Sequence, residues 1–344
     1  MTLDPSERLA IVADAARAPS AHNTQPARWM FTEAGLTLLE DTRTRLTVAD
    51  PSGRDQRIGL GAAVEGMSLA LGRRGVALRL SRRYDARETD GRGPLTPIAD
   101  FALESGADAD PLAEWTARRQ TFRGRFSPAS RPTAAAVAGL AARTPGLVAV
   151  TRHDEIVELA KLHDRCIYEL MRRSAYQREL YGWMRFSPAD PRWHRDGLTT
   201  DCMALGAVET KLVRLGFSPP VYAVAKRLGL GRAVVSEAAQ VESAAAVLIL
   251  RAPADEDALD AGRRLYRLWL ELTALGIAAC PLSATADSDH GSTQLRDRWP
   301  PRDGWRITNL LRVGPAPTEP GPPSRRLPAD ELLVAPAGSG ATAA

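Results

Sequence analysis

The stretch Pro19-Ser20-Ala21-His22-Asn23-Thr24-Gln25-Pro26 carries more information about this protein than any other part of the chain. It follows a predicted helix that has Asp4 as its N-cap and Pro5 at its first position. Serine, asparagine and glutamine side chains can satisfy the carbonyls and ring nitrogens of a flat heterocycle and leave its faces free. The alternative is a helix-terminating loop that is capped by Ser20 and Asn23 and binds nothing.

The residues after this loop predict alternating strands and helices. A hairpin that turns at Gly35 comes first, followed by a helix rich in small residues over Ile58 to Arg74. A strand over Val76 to Leu80 is next, and the Arg-, Asp-, Gly- and Pro-rich residues 82–97 predict a loop. After Pro111 the pattern begins again, with a helix over Leu112 to Arg119.

This repetition predicts two halves in one chain. The first half covers residues 1–110, the second covers residues 111–334, and both follow the order helix, loop, strand, small-residue helix, strand. Residues 335–344 are rich in Ala, Gly, Ser and Thr and predict a disordered tail. Residues 174–200 hold several aromatic side chains among prolines and glycines, which predicts a lid or arm.

The composition excludes several classes of protein. With 344 residues, 44% of them apolar, the chain can bury an ample core. Its net charge of +4 is spread over many arginines, so no nucleic-acid partner is expected. The cysteines Cys166, Cys202 and Cys280 stand too far apart for a disulfide framework, and no histidine pair has metal-ligand spacing.

Targeting signals are not evident in the sequence. The first residues lack a basic region followed by an apolar core, and no apolar run reaches the length of about 18 residues that spans a bilayer. We therefore expect a cytoplasmic protein with no membrane partner. Residues 59–66 are glycine-rich but follow a turn rather than a strand, so they predict close helix packing and not a dinucleotide loop.

The loop from Pro19 to Pro26 resembles the Pro-Ser-x-x-Asn-x-Gln-Pro-Trp motif of the FMN-dependent nitroreductase family. His22 beside Asn23 is similar to the Acg-type branch, in which two nitroreductase units are fused in one chain. Ala27 stands where the family has tryptophan. The resemblance implies five flavin contacts from this loop: Pro19, Ser20, Ala21, Asn23 and Gln25.

A second segment, Arg119-Gln120-Thr121-Phe122-Arg123, resembles the family's Arg-x-Ser-x-Arg/Lys motif. In that role Arg119 donates two hydrogen bonds to phosphate oxygens, and Thr121 donates to the same group. Arg123 stabilises negative charge at N1/O2 of reduced flavin. An exposed, arginine-rich helix end is the alternative. The first half has no such motif before its Pro-Ser loop, which implies one flavin that is held mainly by the second half.

Two further segments resemble the family's closing elements. Pro281-Leu282-Ser283 resembles the loop whose backbone lies against the flavin near N5, so Leu282 and Ser283 are candidate contacts. Leu311 to Pro315, followed by Arg325 and Arg326, resembles the closing strand and its phosphate-binding basic residue. A solvated basic pair is the alternative for these two arginines. In the arm, Tyr181, Trp183 and Trp193 are candidate lid or substrate residues.

The resemblance implies an α+β protein in which a nitroreductase-like fold is duplicated, with an antiparallel or mixed sheet in each half, flanking helices and an aromatic lid. The implied activity is hydride transfer from NADPH or NADH to the N5 atom of FMN, and then reduction of a nitroaromatic, quinone or other conjugated small molecule. No catalytic side chain is expected, because the flavin carries the chemistry. A monomer with an internal pseudo-two-fold axis is implied. The alternative is a flavin-sequestering protein whose lid prevents turnover.

Overall fold

The computed structural model describes residues 3–85, 93–319 and 321–336. Within these ranges no helix is both long and apolar enough to cross a membrane. Part of the predicted loop over 82–97 and most of the predicted tail lie outside the described residues, at 86–92 and 337–344.

The first sheet and its helices are formed by the first part of the chain. Its elements are α1 (Pro5–Ala15), β1 (Ala27–Thr32), β2 (Gly35–Asp41), α2 (Arg54–Gly72), β3 (Val76–Arg83) and β4 (Leu95–Ser105). The strands are antiparallel in the order β1-β2-β4-β3. Helix α1 begins as predicted, because Asp4 and Glu7 form a capping box around its first turn.

The second sheet repeats this arrangement. Its elements are α3 (Arg131–Arg143), β5 (Leu147–Val150), β8 (Ala246–Pro253), α10 (Ala258–Ala274), β9 (Ile277–Pro281) and β10 (Trp305–Pro315). The strands are again antiparallel, in the order β5-β8-β10-β9. In both sheets a long helix joins the second strand to the third along the chain. An α+β fold with two antiparallel sheets flanked by helices is therefore confirmed.

A long insertion separates β5 from β8 in the second half. It contains α4 (His153–Met171), α5 (Ser174–Trp183), β6 (Met184–Arg185), β7 (Leu198–Thr199), α6 (Ala207–Phe217), α7 (Pro219–Arg227), α8 (Gly231–Val235) and α9 (Ala238–Glu242). The two short strands β6 and β7 pair in parallel. Helices α11 (Ser283–Asp287) and α12 (Asp289–Arg298) follow β9, and α13 (Ala329–Leu332) lies near the end of the described chain.

Helices α2 and α10 cross with their backbones in contact. A Cβ atom on Gly61 would lie 2.0 Å from the carbonyl oxygen of Leu259, and one on Gly262 would lie 2.0 Å from that of Ile58. The contact is reciprocal, since each glycine meets the residue three positions before the other. The small residues predicted for α2 therefore serve close packing, and the first core includes Leu259, Tyr266 and Leu270 of α10.

Some local predictions were wrong. Residues 112–119 contain a short 3-10 turn, Pro111–Trp115, and not a helix that reaches Arg119. The loop predicted over 82–97 is shorter than expected, because β3 extends to Arg83 and β4 begins at Leu95. The arm over 174–200 begins with helix α5. Residues 325–334 return to the first half, where the amide of Val334 donates to the carbonyl of Trp29 at 2.7 Å.

The helix crossing predicts which glycine substitutions are tolerated. Gly262→Ala should lower the free energy of unfolding by about 3 kcal/mol, because the new methyl group would overlap a backbone carbonyl that cannot move aside. Gly139→Ala is the control, since it is also a helix-interior glycine but has nothing within 4 Å of an added Cβ. The control should gain about 0.5–1 kcal/mol in urea unfolding. Equal effects at both sites would contradict the proposed packing constraint.

Candidate functional site

The loop from Pro19 to Pro26 holds a strained backbone. Its centre is a 3-10 turn over Ala21–Asn23, and three non-glycine residues have positive φ: His22 at 46°, Asn23 at 57° and Gln25 at 51°. Each such residue costs about 1–2 kcal/mol relative to ordinary backbone. The strain persists because the surrounding contacts fix the loop, and the Gln25 amide donates to Ser20 Oγ at 3.0 Å.

Side-chain amides of the loop bind two distant segments. Asn23 Nδ2 donates to the Arg325 carbonyl at 2.9 Å. Gln25 Nε2 donates to the Arg195 carbonyl at 2.8 Å, and Gln25 Oε1 accepts from the Leu327 amide at 2.8 Å. The loop thus holds both the arm and the returning C-terminal segment. The flavin contacts predicted for Pro19, Ser20, Ala21, Asn23 and Gln25 remain predictions.

Two arginine side chains meet at the C-terminal end of α1. Arg119 Nη2 and Arg326 Nη2 each donate to the carbonyl oxygen of Arg17, both at 3.2 Å. Arg326 Nη1 also donates to Asn23 Oδ1 at 2.9 Å, which joins this pair to the loop. The carbonyls at a helix C-terminus attract cations, so the arrangement is favourable but leaves two positive charges side by side.

The positive charge of this pair is not compensated. Arg119 is 6% exposed, yet its Nε and Nη1 atoms have no hydrogen-bond partner. Among the described residues no carboxylate forms an ion pair with Arg119 or Arg326. Burial lowers the pKa of Arg119, and burial together with the nearby Arg119 charge lowers the pKa of Arg326 to about 9. An anionic group that reached these side chains would offset both the cost of burying the two charges and the repulsion between them.

Aromatic rings line the inner side of Arg119. The guanidinium carbon lies 4.7 Å from the ring centroid of Trp269 and 5.8 Å from that of Tyr266. The Tyr266 hydroxyl and Trp269 Nε1 are buried without hydrogen-bond partners. Cation–π attraction and the nearby Tyr266 hydroxyl therefore offset part of the desolvation cost of Arg119.

Arg123 lies beside the same cluster and is half-buried. Its Nη1 donates to the Cys202 carbonyl at 3.2 Å, two residues beyond the end of the arm. Burial and the Arg123 charge lower the pKa of His22 to about 4, so the imidazole is neutral near pH 7. Thr121 forms a bridge with Ala279 of β9 and is also half-buried. Thr121, Arg123 and Arg326 all keep accessible surface that an anion could contact.

The two arginines near the C-terminus have different environments. Arg325 Nη2 forms an ion pair with Asp201 at 3.0 Å. Arg326 instead donates to main-chain carbonyls and to Asn23. Arg326 is therefore the better phosphate candidate. Arg312 is 1% exposed and donates to the carbonyls of Gly124 and Phe122, so it holds the segment after Arg119 in place.

The segment from Pro281 to Ser283 agrees only partly with the prediction. The Leu282 amide donates to the Leu310 carbonyl at 2.9 Å, so it is not free to donate to a flavin N5 atom. The Leu282 side chain is 1% exposed and belongs to a hydrophobic core. Ser283 is exposed at the start of α11. The flavin contacts predicted for Leu282 and Ser283 remain predictions, and a hydrogen bond from the Leu282 amide to a flavin would have to replace the one to Leu310.

The arm meets the site through its backbone. The carbonyls of Arg195, Gly197 and Cys202 accept hydrogen bonds from Gln25, Asn23 and Arg123. In contrast, the aromatic side chains that were predicted to form the lid contact other parts of the arm. Tyr181 stacks with Phe186 at 5.4 Å, Trp183 lies near Arg185 and Arg192, and Trp193 is 6% exposed.

Helix α2 contacts both the Pro19 to Pro26 loop and the helix that follows β9. Gly59 of α2 lies against Ser20, since its added Cβ would be 3.4 Å from that of Ser20. Arg54 of α2 lies 3.8 Å from Asp287 of α11, which follows β9 directly. A cavity of about 30 Å³ adjoins Ser20, which is room for a water molecule but not for a flavin ring. This cavity is lined by residues of α1, the Pro19 to Pro26 loop, β1, α2 and α13, and by no residue of the arm.

The structure also reveals a carboxyl pair that sequence reasoning missed. Asp55 at the start of α2 faces Asp287, and burial together with the Asp55 charge raises the pKa of Asp287 to about 8. Burial also raises the pKa of Asp55. The two carboxyl groups therefore share a proton near neutral pH, because two adjacent, partly buried like charges cannot both ionise at low cost.

Comparisons with known proteins bear on the whole chain. No family model matches it. "Putative NAD(P)H nitroreductase Rv3131" of Mycobacterium tuberculosis is 29% identical over 326 residues, which cover 91% of this chain and 86% of the relative. "Putative NAD(P)H nitroreductase acg" of the same organism is 28% identical over 336 residues, which cover 93% and 92%.

Among solved structures, the FMN and NADPH-dependent nitroreductase NfnB from sphigopyxis sp. strain HMH is 20% identical. Its TM-score is 0.35, with 65% of this chain and 98% of that chain covered. This similarity is too remote to transfer residues or geometry. The two relatives, by contrast, match the present chain along nearly its whole length.

The carboxyl pair predicts how stability depends on pH. Because the folded-state pKa of Asp287 lies above its unfolded value, folding takes up a proton between about pH 4 and about pH 8, and stability should fall as the pH rises through this window. Urea unfolding at several pH values would measure this slope. Asp55→Asn should flatten it, whereas the exposed control Asp297→Asn should leave it unchanged. A slope that is the same in all three proteins would rule out the shared proton.

Proposed function

Because this chain is a member of the nitroreductase family, with Acg among its relatives, we propose that it is an NAD(P)H oxidoreductase that binds one FMN between its two sheets. The observation that carries the proposal is the uncompensated cation cluster of Arg119, Arg123 and Arg326. The resemblance to the family motifs assigns Arg119 and Arg326 to the flavin phosphate and Arg123 to the N1/O2 edge. A phosphate monoester is the anion that this cluster fits.

The proposed grip on phosphate follows from the geometry of the arginines. The two unpartnered nitrogens of Arg119 give it hydrogen-bond donors that the protein leaves unused. Arg326 lies beside Arg119 on the Arg17 carbonyl and keeps accessible surface. Thr121, two residues after Arg119, forms a bridge with Ala279 of β9 and keeps accessible surface. Arg312 orients this segment through its carbonyls and is a positioning residue.

When bound, FMN would supply the redox chemistry by taking a hydride from NADPH or NADH and passing two electrons to a nitroaromatic, quinone or other conjugated acceptor. Arg123 would stabilise negative charge at the N1/O2 edge through its guanidinium. His22 is neutral near pH 7, so it adds no second charge at that edge.

A single flavin is supported by the difference between the two halves. The connection from α1 to β1 contains the Pro19 to Pro26 loop, whereas the connection from α3 to β5 is only residues 144–146. This short connection has no serine, asparagine or glutamine. Because both flavin-binding halves would be in one chain, we propose that the protein acts as a cytoplasmic monomer with an internal pseudo-two-fold axis.

The contacts of the arm favour a second candidate, a protein that sequesters FMN without turnover. Residues 195–202 bind Asn23, Gln25, Arg123 and Arg325 at the same time. If the arm closes again over bound flavin, a nicotinamide could not reach N5. The arm therefore decides between catalysis and sequestration.

Spectroscopy separates the two candidates. The purified protein is incubated with FMN, desalted, and titrated with NADPH or NADH without oxygen. We expect a yellow protein whose oxidised-flavin absorbance is bleached by one equivalent of reductant. A flavin that stays oxidised would support sequestration, and a colourless protein would refute both candidates.

Variants of Arg119 test the phosphate site. Arg119→Met should weaken FMN binding at least about tenfold, because a charge-assisted hydrogen bond contributes roughly 1.5–3 kcal/mol. It should not lower the stability of the flavin-free protein, because it removes an unpaired buried charge and keeps the contact with Trp269. Arg125→Met, an exposed position two residues beyond Arg123, is the control and should change neither quantity. Unchanged affinity in Arg119→Met would show that the cluster does not bind FMN.

A further inference from the structure

Exposed large apolar side chains are concentrated in one part of the insertion. Of nine such residues among those described, seven lie within residues 207–230, which comprise α6, α7 and the turn that follows. We call residues 207–230 the helical hairpin. The seven are Val208, Leu212, Leu215, Val221, Val224, Leu228 and Leu230. Such a cluster on a protein surface marks an interaction site more often than chance exposure does.

The apolar residues form one stripe on each helix of the hairpin. Val208, Leu212 and Leu215 recur at helical spacing along α6 and are 71%, 64% and 59% exposed. Helix α6 contains no buried residue, although its first turn is capped by Glu209, whose carboxylate accepts from the Gly206 amide at 2.8 Å. The stripe therefore belongs to a well-formed helix that the described protein does not cover.

The hairpin is fixed to the body of the protein. Tyr222 of α7 is 1% exposed and packs with Met171 and Val235. Lys226 Nζ donates to the Arg172 carbonyl at 2.9 Å. The apolar stripes are consequently held in a defined position and do not need to fold on contact with a partner.

Basic residues surround the stripes. Lys211, Arg214, Arg227 and Arg232 are exposed in or next to the hairpin, whereas Glu209, its one acidic residue, is used as a cap. Arg232 also lines a cavity of about 590 Å³ between α4, α8 and α12. The other charged residues of its lining are Lys161, Arg165, Arg172 and Glu169, of which Glu169 is paired with Arg165 at 3.2 Å.

We infer that the helical hairpin and the adjoining basic cavity form a peripheral docking surface for an anionic phospholipid bilayer. The leucine and valine stripes enter the boundary between headgroups and acyl chains, and the basic residues contact lipid phosphates. Charge complementarity favours this partner over a second copy of the chain, because a symmetric dimer would bring two basic surfaces together. The prediction of no membrane partner rested on the lack of a spanning segment and of a secretory signal, and a peripheral surface of this kind needs neither.

Vesicle flotation tests the inference with the full-length protein. Vesicles of phosphatidylcholine alone are compared with vesicles of phosphatidylcholine and phosphatidylglycerol in equal amounts. We expect binding to the anionic vesicles and little to the neutral ones. Leu212→Gln with Leu215→Gln should lower the partition coefficient at least about tenfold, because two apolar side chains no longer enter the bilayer. The exposed leucines Leu80 and Leu275 lie outside the hairpin, and Leu80→Gln with Leu275→Gln is the control.

Charge variants test the electrostatic part. Arg214→Gln with Arg227→Gln should lower binding to anionic vesicles about fivefold per residue. Arg79→Gln removes an exposed arginine that is paired with Glu104, and it should have no effect. These results should be the same with and without FMN, so a failure here is distinct from a failure of the flavin site.

Two outcomes would overturn the inference. The first is a protein that binds neither kind of vesicle and sediments as a dimer that Leu212→Gln with Leu215→Gln converts to a monomer, since a second copy would then cover the stripes. The second is a monomer that binds neither kind of vesicle. Circular dichroism of each variant would show whether its helices are retained.

Discussion

The contact between α2 and α10 is the constraint on which the rest of the structure depends. Gly61 and Gly262 let helices α2 and α10 approach until each glycine lies against a backbone carbonyl of the other helix. Any larger residue at either position would separate the helices. Each helix connects two strands of its own sheet, so this approach fixes one sheet relative to the other. It thereby brings the loop after α1 close to the segment that carries Arg119, Thr121 and Arg123, although about a hundred residues separate them along the chain.

The candidate site at this junction lowers the stability of the folded protein, and the packing around it does not offset this loss. Arg119 is buried with two unpartnered nitrogens, Arg326 lies beside it, and three loop residues have positive φ. A protein that needed only stability would place a carboxylate or an apolar side chain there. Strain and uncompensated charge that occur together at one place are typical of a ligand site, because binding can recover what folding has lost.

The sequence predicted the features that depend on residues close together along the chain. Asp4, Pro5 and Glu7 define the start of α1, and Gly35 defines the first hairpin, because capping and turn geometry are local. It did not predict that Arg119 and Arg326 share the Arg17 carbonyl, that the Leu282 amide is used within the sheet, or that Asp55 faces Asp287. These contacts join residues far apart in the chain, and their geometry depends on how the two sheets are placed. The motifs identified candidate site residues such as Arg119 and Arg326 but not the groups that these residues contact.

The arm and a ligand would compete for the same hydrogen-bond donors in the Pro19 to Pro26 loop. The same amide groups of Asn23 and Gln25 that the family motif assigns to flavin hold the carbonyls of Gly197 and Arg195. One amide N–H cannot donate fully to both acceptors, so a ligand at this edge and the arm in its present position compete for the same donors. If the proposed flavin accepted hydrogen bonds from these amides, its affinity would include the cost of displacing residues 195–202 from the loop.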